Sequence, residues 1–158
     1  MVAMKTKSVG LILALSVLMS GLCFAADPMT GTWKLNEKKS KLPRGMARNR
    51  TVVYADAFPF QTKVTIDGVD AKGKPAHSEW TGHFDSRDYR VIGDPTTDTR
   101  SYRQVDDRTL EFWSKKGGKV INSGRIVVAP DGKTRTVTLI AINAKGKKSR
   151  SVAVYDKA

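Results

Sequence analysis

Three side chains with metal-binding chemistry, His77, Glu79 and His83, stand at odd positions along one stretch. In an extended strand, alternate residues share a face, so these three and Thr81 would point the same way. Six residues at ~3.3 Å each, however, separate the two imidazoles by ~20 Å, beyond any single coordination sphere. Only His77 and Glu79 are close enough to cooperate, and the stretch reads as a polar outer face with no metal. Asp85, Asp88, Asp94, Asp98 and the pair Asp106-Asp107 are candidates for acid–base work or calcium. Each falls where a turn is expected, aspartate closes turns by local hydrogen bonding, and no calcium-loop spacing recurs. The chain has no Gly-x-Ser-x-Gly elbow and no phosphate loop, and its single cysteine is Cys23. The reading is of a protein that is not an enzyme and uses no cofactor.

Cations and rings are better represented. Tyr102 stands between Arg100 and Arg103, and Trp113 beside Lys115 and Lys116, a mixture that single-strand nucleic-acid binders use for stacking. No paired aromatic motif of an RNA-recognition sheet accompanies it, and the leader described next points to export, so nucleic acid is not the expected partner. The densest basic segment runs from Lys34 to Arg50. There Lys38, Lys39, Lys41, Arg44 and Arg48 form a candidate contact surface broken by Pro43 and Gly45.

These residues must be positioned by the part of the chain that remains after export. Lys5 and Lys7 precede an apolar run from Val9 to Met19, and Cys23-Phe24-Ala25 supplies a small-residue exit. The run is shorter than the ~20 residues that span a bilayer, so residues 1–25 read as a cleaved secretory signal peptide rather than an anchor. Lipid attachment at Cys23 would need a small residue before it, and Leu22 stands there. Cleavage removes two lysines and no acid, taking the formal charge from +13 to +11. Residues 26–158 should then form one cysteine-free domain, periplasmic or secreted, held by its core alone and attractive to anionic molecules or surfaces.

Turn signals recur every ten to fifteen residues along that domain, among them Asp67-Gly68, Gly117-Gly118, Pro130-Asp131-Gly132 and Lys145-Gly146. Between them lie candidate strands at 31–36, 50–56, 60–67, 75–84, 98–105, 109–116, 119–129, 133–143 and 148–155. Alternation groups Phe60, Val64 and Ile66 on one side, as it does Trp80 with Phe84, Leu110 with Phe112, and Val137 with Leu139 and Ala141. Helix should be scarce. The pattern predicts an all-β fold, a small antiparallel up-and-down barrel of eight or nine strands, with a two-sheet β-sandwich as the alternative. Gly82 and Gly124, inside strand patterns, read first as bends and second as space left beside another group.

Gly31-Thr32-Trp33-Lys34-Leu35-Asn36 resembles the opening of exported bacterial lipocalin-like proteins of unknown function. The resemblance continues through Val64 to Pro75, Asp106-Asp107-Arg108-Thr109, Pro130 to Thr134 and the closing Val152-Ala153-Val154-Tyr155. It implies a barrel in which Trp33 packs at the closed end with an arginine of the last strand across its ring, a structural part that Arg150 would play. It also implies an interior that is either filled or held open for one small molecule. Val64, Ile66, Trp80, Phe84, Tyr102, Phe112 and Leu139 are the expected pocket residues. The functional expectation is an exported monomeric protein, without a transmembrane anchor, that binds a small amphipathic or anionic ligand or a cell-envelope component. The alternative is a protein-binding module, such as an inhibitor of an exported protease, working through the basic segment.

Overall fold

A computed structural model describes residues 27–158. The expected leader, 1–25, and Cys23 lie outside the described residues. Ten strands follow one another: β1 (Gly31–Leu35), β2 (Arg48–Ala57), β3 (Gln61–Val69), β4 (Pro75–Gly82), β5 (Tyr89–Ile92), β6 (Thr99–Asp106), β7 (Thr109–Lys116), β8 (Lys119–Val128), β9 (Thr134–Ile142) and β10 (Lys148–Lys157). Each pairs antiparallel with its sequence neighbours, and β1 pairs with both β2 and β10, closing the sheet. The sandwich alternative is thereby set aside. No α-helix occurs among the described residues, which hold one 3-10 turn at Glu37–Lys39.

The count is ten, not the eight or nine expected. All nine candidate strands are present, and the addition is β5, four residues between turns. Tyr89-Arg90-Val91-Ile92 is too short to show a period, and only Val91 is buried. Its presence is nevertheless a topological requirement. An up-and-down meander closes with every pair antiparallel only if the number of strands is even.

Connections alternate between two ends of the barrel. One end, the floor, is sealed by Met29, Trp33 and Val128, all buried, with the Trp33 indole donating to the Met29 carbonyl at 3.0 Å. Above it sits an aromatic cluster in which the Trp80 ring lies 4.7 Å from Tyr102 and 6.1 Å from Phe84. The grouping of Val64 with Ile66 holds, but Phe60 does not join them. It is 98% exposed in the β2–β3 turn, beside Phe58 at 96%.

Gly82 and Gly124 are required by close approach rather than by a bend, the reverse of the expected order. A Cβ on Gly124 would lie 2.6 Å from the Phe112 ring and from the Thr138 carbonyl oxygen, and one on Gly82 would lie 2.5 Å from the Tyr89 ring. Overpacking of this kind costs about 1–3 kcal/mol. Gly124→Ala should therefore lower the unfolding free energy by that amount, read as a lower denaturant midpoint at constant m-value, whereas Gly132→Ala, whose Cβ meets nothing within 4 Å but whose φ is +69°, should lose less. Equal losses in a urea titration would refute the close-packing account.

Candidate functional site

Between the aromatic cluster and the opposite end the barrel is not filled. A cavity of about 290 Å³ runs from Arg135, Tyr54 and Tyr102 to an opening, the mouth, where exposed Ala47 and Thr96 are among its lining. A strap, residues 36–47, leaves β1 along β10 through the Lys41 bridge to Val152 and then brings Leu42 and Met46 over the mouth. The β5–β6 loop lines it through Asp94, Thr96 and Thr97. Ile66, Phe112, Ile126, Val137 and Leu139 give apolar walls.

The floor is the unusual part. Arg135 lies on the inward face of β9, two positions before Val137, and is only 2% exposed. Its guanidinium carbon is 5.0 Å from the Trp33 ring centre, 5.0 Å from Tyr54 and 4.8 Å from Tyr155. Nε and Nη1 have no hydrogen-bond partner, and no carboxylate pairs with Arg135 among the described residues. Burying an ion costs several kcal/mol, and each cation–π contact returns about 0.5–2 kcal/mol. Three rings can therefore hold the charge, while no oxygen or nitrogen acceptor meets Nε or Nη1. Arg135 is among the residues that line the cavity.

Two phenols flank it in their neutral form. Burial pushes the Tyr155 hydroxyl up to about 12 against the pull of Arg135, and the group donates to the Asn49 carbonyl at 3.0 Å. Tyr54 is raised further, by burial first and by neighbouring Tyr102 second. Higher on the wall, Arg100 Nε donates to Ser114 Oγ at 2.9 Å, and the buried Asn122 Oδ1 is unpartnered. The cavity thus has an apolar middle, a cationic floor and one polar wall.

Of the seven expected pocket residues, Ile66, Tyr102, Phe112 and Leu139 line the cavity. Val64 and Trp80 also face inward, but they are 1% and 2% exposed in the filled part of the core, where Phe84 stacks on Trp80. The cavity begins above them because the aromatic cluster already occupies their level. Arg150 does not lie across Trp33. It is exposed on β10 opposite Ile140, and Arg135 of β9 takes that position, since β10 meets Trp33 through Lys157. Lys38, Lys39, Lys41 and Arg44 are exposed on the strap, while Arg48 is half-buried and reaches the cavity. Arg135 was missed although its position was readable: the inward parity of Val137, Leu139 and Ala141, extended back by two, falls on it.

The other candidates lie outside. Arg103 sits over Trp113 at 5.6 Å and pairs with Glu111, on the outer wall. His77 Nδ1 is 2.7 Å from Asp67 Oδ1 and its Nε2 is 3.6 Å from Glu79, which in turn meets Lys63 at 2.8 Å. His83 is apart from them, 6.1 Å from the Tyr89 ring. No cluster of three or more metal-ligating side chains occurs among the described residues.

No protein-family model matches the sequence, and no curated protein matches it significantly. Among solved structures the chain is similar to a redesigned beta barrel, mFAP1, bound to DFHBI, at a TM-score of 0.44 and 14% identity over 84% of this chain and 98% of that chain. It is also similar to EF1p2_mFAP2b bound to DFHBI, at 0.45 and 10% identity over 85% of this chain and 97% of that one. Neither likeness bears on what this chain binds. The protein is a closed ten-stranded β-barrel with an open internal cavity and a buried arginine at its base.

The outer-wall histidine gives a pH test. The hydrogen bond to Asp67 raises the His77 pKa above its ordinary value, so its contribution to stability is fully present below ~6.5 and is lost as pH rises through the folded-state value. A side-chain NMR titration should place His77 above ~6.5, and Asp67→Asn should bring it down. A His77 unaffected by Asp67→Asn would remove the ion pair from the account.

Proposed function

We propose that this protein is an exported, non-catalytic carrier that encloses a small amphipathic anion, with the anionic group on the Arg135 edge and the apolar part against Ile66, Phe112 and Leu139. One observation supports this reading above the others. Arg135 is 2% exposed, borders the cavity and has two N–H directions without acceptors. A carboxylate supplies two acceptors in the plane of a guanidinium and neutralises the buried charge, which no apolar or neutral ligand does. The cavity, about 290 Å³, sits at the small end of ligand sites, which run from ~300 Å³ upwards. The ligand is therefore compact, a short-chain or single-ring acid rather than a long lipid.

Export, to the periplasm or beyond, is part of the same reading and rests on residues 1–25. The resemblance to exported lipocalin-like proteins rests on the opening Gly31 to Asn36 and on the segments Val64 to Pro75, Asp106 to Thr109, Pro130 to Thr134 and Val152 to Tyr155. The titratable groups around the cavity favour binding over chemistry, since its two tyrosines with raised pKa values stay protonated near neutral pH.

The test compares an acid with its uncharged isostere. Octanoate should bind at least ~10-fold more tightly than octanol by calorimetry, a difference of about 1.4 kcal/mol. Arg135→Met should abolish that preference while leaving the thermal midpoint unchanged or higher, because an unpaired buried charge is replaced by an apolar side chain of similar length. Leu139→Trp should block both ligands. An Arg135→Met protein that folds and still prefers octanoate would refute the carrier reading, as would a wild-type protein that binds neither.

A further inference from the structure

We infer that the mouth of the barrel docks on anionic lipid membranes, so that cargo passes between the bilayer and the cavity without crossing water. The inference rests on the carrier reading for its purpose and on charge placement for its geometry. The turns at the mouth carry Lys72 and Lys74 (β3–β4), Lys116 and Lys119 (β7–β8), and Lys145 and Lys147 (β9–β10). The part of the strap that reaches the mouth, residues 41–47, adds Lys41 and Arg44, while Glu37, Lys38 and Lys39 lie lower, beside Val154 and Asp156 of β10; this makes eight cations at the mouth against three carboxylates, Asp70, Asp94 and Asp98.

Each of those three carboxylates is engaged by hydrogen bonds, Asp70 and Asp94 within their own loops and Asp98 across to the β7–β8 turn. Asp70 accepts from the Lys72 and Lys74 amides, Asp94 from Thr96, and Asp98 from Gly117 and the Lys116 ammonium. Among the described residues Lys116 is the one cation of the eight with an ion-pair partner. The floor end is different: Asp56, Asp85, Asp106, Asp107 and Asp131 outnumber Arg87, Arg108, Lys133 and Lys157. The charge is therefore polarised along the barrel axis, with the cations around the opening.

A bilayer fits this ring better than a polyanionic strand does. The cations stand on separate turns around a rim rather than along a groove, and within the rim lie Leu42 and Met46, apolar and half-buried, beside an apolar-walled cavity. Each Lys or Arg near an anionic leaflet contributes about 1 kcal/mol, additive over several turns that touch at once. A compact amphipathic acid partitions into that leaflet and meets the mouth there.

Flotation with vesicles of phosphatidylcholine containing phosphatidylglycerol, against phosphatidylcholine alone, tests the docking. The wild-type protein should float with the anionic vesicles and be released by salt. Lys72→Glu/Lys74→Glu and Lys145→Glu/Lys147→Glu should each weaken this by at least ~30-fold, the equivalent of two lost contacts. The matched floor reversal Arg108→Glu/Lys133→Glu, and Phe58→Ser/Phe60→Ser, should leave it within ~3-fold, about half of one contact. Equal losses from rim and floor reversals would reduce the effect to net charge, and loss in the phenylalanine variant would mean floor-first insertion. Either overturns the inference, as does failure to float at low salt or equally tight, rim-dependent binding to heparin. Octanoate calorimetry on the same variants separates the two ideas: rim-dependent flotation without octanoate binding leaves docking and removes the carrier, and octanoate binding without flotation does the opposite.

Discussion

A five-residue strand holds the molecule together. β1 pairs with β2 through Gly31 to Lys34 and with β10 through Trp33 to Leu35. Without it, two long neighbours of ten residues each would present unpaired amides and carbonyls at open sheet edges, the usual template for aggregation. With it there is no edge, and in a domain whose described residues contain no cysteine the closure does what covalent crosslinks do in disulfide-linked domains. Trp33, fully buried in the middle of that strand, makes closure and floor packing one event.

Closure also explains why an unpaired cation can persist inside. Arg135 is held by rings from β1, β2 and β10, three strands adjacent only because the barrel is shut. The aromatic faces lower the cost of burying the charge. The same residue thus touches rings of three strands at the floor and lines the cavity above it.

Much of this was legible in the chain because β-structure writes its period directly into sequence. Nine of the ten strands follow from turn residues and alternation, and inward faces such as Leu110 with Phe112 are correctly grouped. Where reading failed, the signal was short or depended on contacts distant in sequence. β5 has four residues, fewer than two full alternations, and what demands it is parity around the barrel, a property of the whole chain. Arg150 was chosen for Trp33 by strand number alone, whereas register decides: Lys157 stands opposite Trp33, and Arg135 reaches the ring from the next strand in. Val64, Trp80 and Phe84 were recognised as interior, but whether an interior position borders space or a neighbour depends on the size of side chains on other strands.

An even number of strands returns the last strand to the end of the barrel at which β1 begins. The start of β1 and the end of β10 both lie at the floor, and the Ala158 amide donates to the Thr32 carbonyl at 2.9 Å. Antiparallel bonds run perpendicular to their strands, so tension applied across these two ends loads them one pair at a time, like a zipper, rather than all together in shear. A barrel without an edge at rest is mechanically soft along one seam. Pulled by its ends, it opens first beneath Trp33, at the base of the cavity, while the strap and the cationic rim at the other end are still in place.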